Sequence, residues 1–356
     1  MSVMTWPNDQ PLFDRFVVLE WRGMQIGRPA GIAAQIFFGV LLALNLTTGL
    51  AATAEKEREA ARWLERMMTA VRALNYQGTF IYLHDNQLES IRVVHAVEDG
   101  QIREHLISLN GAPREVIRDK RSITCVRPES QQISIDKRPP SNKFLDLLPQ
   151  DLDKLTPHYA FRTLGTARIA GHQSKVVAII PRDDYRYGYR FYLDQESALP
   201  LKSDLMDEQG QALEQTMFTS LEIGVAEWNI DESNKQRGIT IRKSDLPRSE
   251  IESDRPQWHF ESLPAGFVVT SRSRVPDTAN GGVIDHYVLS DGLASLSIFI
   301  EAAGEGGALE GASRLGAINA WGGRRADHQI TAVGEVPAIT LLSVVEAMRY
   351  NAAESP

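Results

Sequence analysis

Apolar residues recur at three- and four-residue steps through Ala60, Trp63, Leu64, Met67, Met68, Val71 and Leu74. That spacing predicts one amphipathic helix from about Glu55 to Leu74, whose stripe must lie on something. The period then changes to two. Gly78 to His84 and Leu88 to Val97 read as a hairpin across Asp85-Asn86-Gln87. Alternation puts Phe80, Tyr82 and His84 on one face and Thr79, Ile81 and Leu83 on the other. Glu98-Asp99-Gly100-Gln101 and Asn110-Gly111 are turn signals, because Asp-Gly and Asn-Gly tolerate positive φ. Ile102 to Leu109, Glu115 to Asp119, Ser122 to Val126 and Gln132 to Ile135 continue the meander.

Arg138-Pro139-Pro140 interrupts the pattern. Phe144, Leu145, Leu147, Leu148, Leu152 and Leu155 then crowd a short stretch broken by Pro149 and Pro157. These read as two short helices or a greasy loop, and so many apolar groups in so short a piece suggest a lid over an apolar groove. Strands resume at Tyr159 to Leu164, Thr166 to Ile169, Ser174 to Ile180, Tyr185 to Leu193, Leu201 to Met206 and Leu213 to Leu221. Tyr185, Tyr187, Tyr189 and Phe191 share one face of their strand, and that face either lines a cavity or packs as ordinary core. Many short strands joined by tight turns predict an antiparallel sheet that curls.

From residue 231 to 256 the chain turns polar, and residues 229–255 read as a linker. A second β-rich unit follows: Phe267 to Ser271, His286 to Leu289, Ala294 to Glu301 and Gln329 to Val333, with a Gly-rich loop from Gly304 to Gly311 and a helix from Ala338 to Met348. The pattern therefore divides the chain into residues 1–54, 55–228, the linker, and 256–356. What remains after residue 54 is too long for one typical core, which also predicts two domains.

The first segment has its own signature. Ile36 to Leu44 is uninterrupted apolar, Arg22 and Arg28 precede it, and Ala52-Thr53-Ala54 follows it ahead of a charged run. Basic flank, short apolar core and small-residue cleavage site read as a secretory signal peptide. The core falls short of the ~20 residues a spanning helix needs; an N-terminal anchor is the alternative. Without a cysteine at the cleavage site there is nothing to lipidate. Met24 opens a leader of ordinary length, so residues 1–23 read as an extension or a misplaced start. Export to the periplasm is the expectation.

Composition narrows the function mainly by exclusion. The net charge is −8, so counterion release offers no drive toward nucleic acid. The single Cys125 cannot form an internal disulfide and sits in a strand-like run as a buried thiol. The eight histidines show no metal-ligand spacing, and the chain has no G-x-S-x-G elbow, P-loop or H-E-x-x-H. Gly304 to Gly307 resembles a phosphate cradle only faintly and reads better as a hairpin loop. His84 and His95 could face each other across a hairpin, as a sheet pair. No catalytic set, cofactor site or metal site emerges. A half-barrel with a helix against it, hollow inside, is a binding architecture.

Tyr189-Arg190-Phe191-Tyr192-Leu193-Asp194, then Ser197 to Lys202 with its Leu-Pro-led strand, resembles periplasmic lipoprotein carriers of the LolA and LolB type. Leu74 to Tyr82 after an N-terminal helix, Asp207 to Gly210 before Glu214 to Phe218, and Trp258 to Phe267 opening the second unit narrow the match. Together they resemble the MucB/RseB family, negative regulators of an envelope-stress sigma factor. The resemblance implies a mostly β (α+β) protein: an N-terminal LolA-like unclosed antiparallel β-barrel with a long packing helix, plus a smaller α/β C-terminal domain. It implies no enzyme. The partner would be the periplasmic part of a single-span membrane anti-sigma factor, shielded from regulated proteolysis until lipid or lipopolysaccharide binds. A periplasmic lipid or lipoprotein carrier is the other reading. A homo-oligomer stays open. Candidates for the lipid groove are Trp63, Met67, Phe80, Tyr82, Phe144, Leu145, Leu147, Leu148, Tyr189 and Phe191, with Arg186 and Arg190 for lipid phosphate. Trp258, Phe260 and Phe267 are candidates for the partner.

Overall fold

The computed structural model describes residues 54–119, 123–127, 132–136, 148–149, 151–228, 240–244, 258–276, 282–303, 309–325 and 327–350. The expected signal segment, the Gly304 to Gly307 loop, and Phe144, Leu145 and Leu147 lie outside these residues. No helix among the described residues is long and apolar enough to cross a membrane.

Helix α1 covers residues 54–73, as the periodicity requires. Its Ala60, Leu64, Met67 and Val71 are buried, and they form part of one core with strand residues. The first half of the chain then runs through β1 (Tyr76–His84), β2 (Gln87–Glu98), β3 (Gln101–Ser108), β4 (Glu115–Arg118), β5 (Ile123–Arg127), β6 (Gln132–Asp136), β7 (Tyr159–Ile169), β8 (His172–Pro181), β9 (Gly188–Asp194), β10 (Pro200–Met206), β11 (Ala212–Ile223) and β12 (Thr240–Ser244). These make one twelve-stranded sheet, in the order β12-β6-β5-β4-β3-β2-β1-β11-β10-β9-β8-β7. Every pairing is antiparallel except β12 on β6, and the two end strands do not pair with each other. The sheet is an open barrel around α1.

Hairpin chemistry sets the register. Asp85 and Asn86 both take positive φ between β1 and β2, and Asp99 and Gly100 do the same between β2 and β3. Two successive left-handed residues make the type I′ turn whose twist matches that of the flanking strands. Tyr159 to Ile169, read as two strands, is a single β7 with its register shift at Leu164, where Gly165 takes φ +124°. His84 and His95 do not face each other: His84 pairs with Gln87, and His95 pairs with Tyr76.

The linker reading needs correction at one place. Residues 240–244, inside that polar stretch, form β12 and extend the sheet edge in parallel with β6. The lid reading also changes. Leu148, Leu152 and Leu155 are buried in the barrel core, with Leu152–Lys154 forming one 3-10 turn capped by Asp151. These three leucines fill the core beside α1.

The second half contains β13 (Trp258–Phe260), β14 (Val268–Pro276), β15 (Val283–Ser290), β16 (Ser295–Ala302), β17 (Gly311–Leu315), β18 (Ile318–Arg325), β19 (His328–Gly334), α2 (Ala338–Glu346) and β20 (Met348–Tyr350). Six strands form an antiparallel sheet in the order β14-β15-β16-β19-β18-β17, while β13 and β20 pair separately. Helix α2 buries Leu341, Val344 and Val345 in the same core as Leu296, Ile298 and Ile330. Strands β17 and β18 carry little apolar alternation, and every residue of β17 is exposed; only pairing within the sheet defines them.

Candidate functional site

Across the inner side of the barrel, one row of cross-strand partners is polar. Tyr76 on β1 pairs with His95 on β2, His95 with Glu104 on β3, and Glu104 with Arg118 on β4. The next row is Val93, Leu106, Val116 and Cys125. A cavity of about 130 Å³ opens where the two rows meet, lined by Tyr76, Phe80, Val93, Glu104, Leu106, Arg118, Thr216 and Phe218. Arg118 Nη1 donates to Glu104 Oε2 at 3.2 Å. The His95 ring stacks on Tyr76, centroids 4.6 Å apart, and donates Nδ1–H to the Leu74 carbonyl at 2.9 Å. Burial holds His95 below its ordinary pKa and pushes the Tyr76 hydroxyl far up, so both are neutral.

The seam between the two sheets is also built from buried polar groups. Arg186 is 1% exposed. Its Nη1 lies 3.0 Å from Asp291 Oδ2, its Nε 3.0 Å from Asp183 Oδ1, and its Nη2 donates to the Ala265 carbonyl at 2.6 Å. The guanidinium lies over the rings of Tyr159 and Phe267. Tyr159 donates its hydroxyl to Asp291 Oδ2 at 2.8 Å. The Asp291 Oδ1 meanwhile accepts from the amides of Leu293 and Ala294. Gly266, at φ +85°, lets the backbone pass within reach of His158, where a Cβ would collide with the imidazole.

The tyrosines grouped by alternation belong to this seam. The expected strand Tyr185 to Leu193 starts only at Gly188, because residues 182–187 leave the sheet to meet the second half. The Tyr185 carbonyl accepts from Thr340, the Tyr187 hydroxyl accepts from Asn319 at 3.0 Å, and Tyr189 donates to Glu335 at 3.3 Å. Ala317, at the β17–β18 turn, is fully buried against Tyr187 and Leu205.

The candidate residues thus scatter over several environments. Phe80 lines the cavity, while Tyr82 bonds Glu214 at 2.6 Å. Trp63 is half-buried at the edge of the barrel core, under the Arg66 guanidinium. Met67, Leu148 and Phe191 are buried inside that core. Tyr189 stacks on Phe191 and reaches the seam. Arg186 is not on a rim: the structure buries it with two carboxylates, so it has no free face for a phosphate. Arg190 lines an outer cleft of about 380 Å³ with Ala178, Ile180, Gly188, Met206 and Glu208; Arg186 and Tyr189 border the same cleft, the Arg186 side chain itself having no exposed surface. Trp258 and Phe267 are core residues of the second half, and only Phe260 keeps a partly exposed surface there.

Sequence reading missed Glu104 and Arg118. Each sits in an ordinary strand, and register alone brings them to one cavity. It also missed the exposed Ile339 and Leu342 on α2 and Val268 and Val269 on the edge strand β14. Among the described residues no group of three or more His, Cys, Asp or Glu could hold a metal ion.

Comparison with known proteins matches both halves. Residues 59–249 match the MucB/RseB N-terminal domain and residues 252–349 the MucB/RseB C-terminal domain. The chain is 32% identical over 318 residues to the sigma factor AlgU regulatory protein MucB of Pseudomonas aeruginosa, covering 88% of this chain and 98% of that one. It is 29% identical over 320 residues to the sigma-E factor regulatory protein RseB of Escherichia coli, with the same coverage. Among solved structures, the complex of Pseudomonas aeruginosa MucA/MucB superposes with a TM-score of 0.65 at 30% identity, covering 83% of this chain and all of that one. MucB in complex with MucA(peri) gives 0.63 at 31% identity, covering 83% and 100%. With an open barrel, a sheet-and-helix second half and matches to both family domains, this chain belongs to the MucB/RseB family.

Proposed function

We propose that the protein works in the periplasm, where it holds the periplasmic part of a membrane anti-sigma factor and covers it from the first protease of a cascade. Lipid or lipopolysaccharide then dislodges it. The N-terminal half, residues 55–228, would sense lipid, and the C-terminal half, residues 256–356, would dock the partner. The observation that carries this reading is the likeness, across 83% of the chain, to MucB solved with MucA(peri).

The switch obeys linkage. A lipid displaces a partner only by preferring the partner-free form. Emptying a nearly saturated complex takes roughly 5.5 kcal/mol of preference. A buried acyl chain contributes about 0.8 kcal/mol per methylene, so seven or so ordered methylenes supply it before entropic losses. The apolar-lined cavity inside the barrel is where such a chain would start.

The test uses the purified protein and the periplasmic segment of its anti-sigma partner, with the protease that makes the first cut. The protein should slow cleavage, and added lipopolysaccharide should restore it. Cleavage that proceeds at the same rate with and without the protein overturns the proposal.

A further inference from the structure

The polar row inside the barrel has more donors than it uses. Of the five guanidinium donors of Arg118, one is committed to Glu104, and Nε has no hydrogen-bond partner. The Arg118 side chain is 23% exposed and lines the cavity, whereas Glu104 is nearly buried. Among the described residues that line the cavity, only Arg118 and Glu104 carry charge. His95 adds no second cation, because it is buried and neutral, with its Nδ1–H spent on Leu74. The wall therefore holds one cation already matched by one anion, with surplus donors on the cation.

That balance selects among head groups. A fatty-acid carboxylate or a phosphate would add a charge beside Glu104 with nothing left to neutralise it, and unmatched charge in a partly buried site is costly. An uncharged acceptor adds none, and can take an N–H of Arg118. The apolar row lies two residues along the strands, roughly 7 Å away. A group whose oxygen sits on Arg118 thus places its chain over Val93, Leu106, Phe80 and Phe218. At about 130 Å³ the cavity takes the part of a chain next to the head, and the rest must follow the open side of the barrel.

We propose that the barrel cavity recognises the ester carbonyl of an acylated lipid, with Arg118 donating to the carbonyl oxygen and Glu104 excluding free carboxylates. This rests on the lipid-binding reading above and specifies its chemistry. The recognised unit is the acyl linkage, a feature of glycerolipids and acylated sugars alike.

The experiment measures displacement of the neutral dye N-phenylnaphthylamine from the protein purified from the periplasm. Three competitors share one chain length, so the apolar contribution cancels: monomyristoylglycerol, its ether analogue tetradecylglycerol, and myristate. The ester should bind at least about tenfold tighter than the ether, the gain of one hydrogen bond from a charged donor. Myristate should bind more weakly than the ester. Arg118→Lys keeps the charge opposite Glu104 but loses the fork, and should bring ester and ether to within about twofold of each other. Equal binding of ester and ether by the unaltered protein, or tightest binding of myristate, overturns the inference while leaving lipid binding intact. Failure of all three to displace the dye overturns the lipid reading and this inference with it.

Discussion

Arg186 and Asp291, 105 positions apart in sequence, face each other at 3.0 Å with neither side chain reaching solvent. The pair joins the barrel half to the sheet-and-helix half, and Tyr159 donates to the same carboxylate oxygen. A buried pair of this kind is weak evidence for net stability, since desolvation offsets most of the attraction. Its effect is orientation: any relative movement of the two halves exposes or orphans a charge.

Removing one member of the pair should therefore cost far more than removing both. Asp291→Asn keeps the acceptor for Leu293 and Ala294 but leaves Arg186 one partner short. It should destabilise the protein by about 3–5 kcal/mol, read by urea unfolding, and Arg186→Met should do the same. The double variant should lose much less than the sum of the two, because the costs share one cause. Simple additivity would show that the two residues are not coupled.

Leu155 distinguishes a core segment from a lid. It is fully buried with α1 and the barrel strands, and its Cδ2 lies 3.5 Å from the position of a Cβ on Gly292. Leu155→Ala should lower unfolding free energy by about 2–5 kcal/mol. A lid residue would leave stability nearly unchanged and alter only ligand exchange.

Acid should weaken the fold through His95. Its folded pKa lies below the ordinary 6.5 because burial penalises the cation. The unfolded chain therefore binds a proton that the native chain does not, and stability rises with pH in that range. His95 contributes fully above pH 6.5 and progressively less as pH falls below it. His286 shifts in the same direction, also by burial. Urea midpoints measured from pH 7.5 down to 5 should fall, and His95→Gln should flatten the slope. An unchanged slope in that variant would assign the acid sensitivity to other groups.

Much of the architecture was legible from local pattern. The stripe from Ala60 to Leu74 specified α1, because a helix repeats every 3.6 residues whatever surrounds it. Asp85-Asn86 and Asp99-Gly100 marked their hairpins, because Asp, Asn and Gly tolerate positive φ, whereas Ala170 takes positive φ only under the demand of its hairpin. Strands β17 and β18 were not legible, since β17 is exposed throughout and β18 shows little apolar alternation, so both gain order from neighbours in the sheet. The candidate site fared less well. Alternation puts Phe80 on the face that lines the cavity, but Arg186, which borders the outer cleft, spends its guanidinium on Asp183, Asp291 and the Ala265 carbonyl.

By itself the sequence determined the periodic elements, the tight turns and the family. Tertiary structure alone decided which charges met. Glu104 and Arg118 share a cavity because β3 and β4 settle in one register, and Arg186 reaches Asp291 because residues 182–187 leave the sheet. Periodicity acts over a few neighbours along the chain, whereas pairing of distant charges depends on how strands align and how two cores dock. No local pattern carries that information.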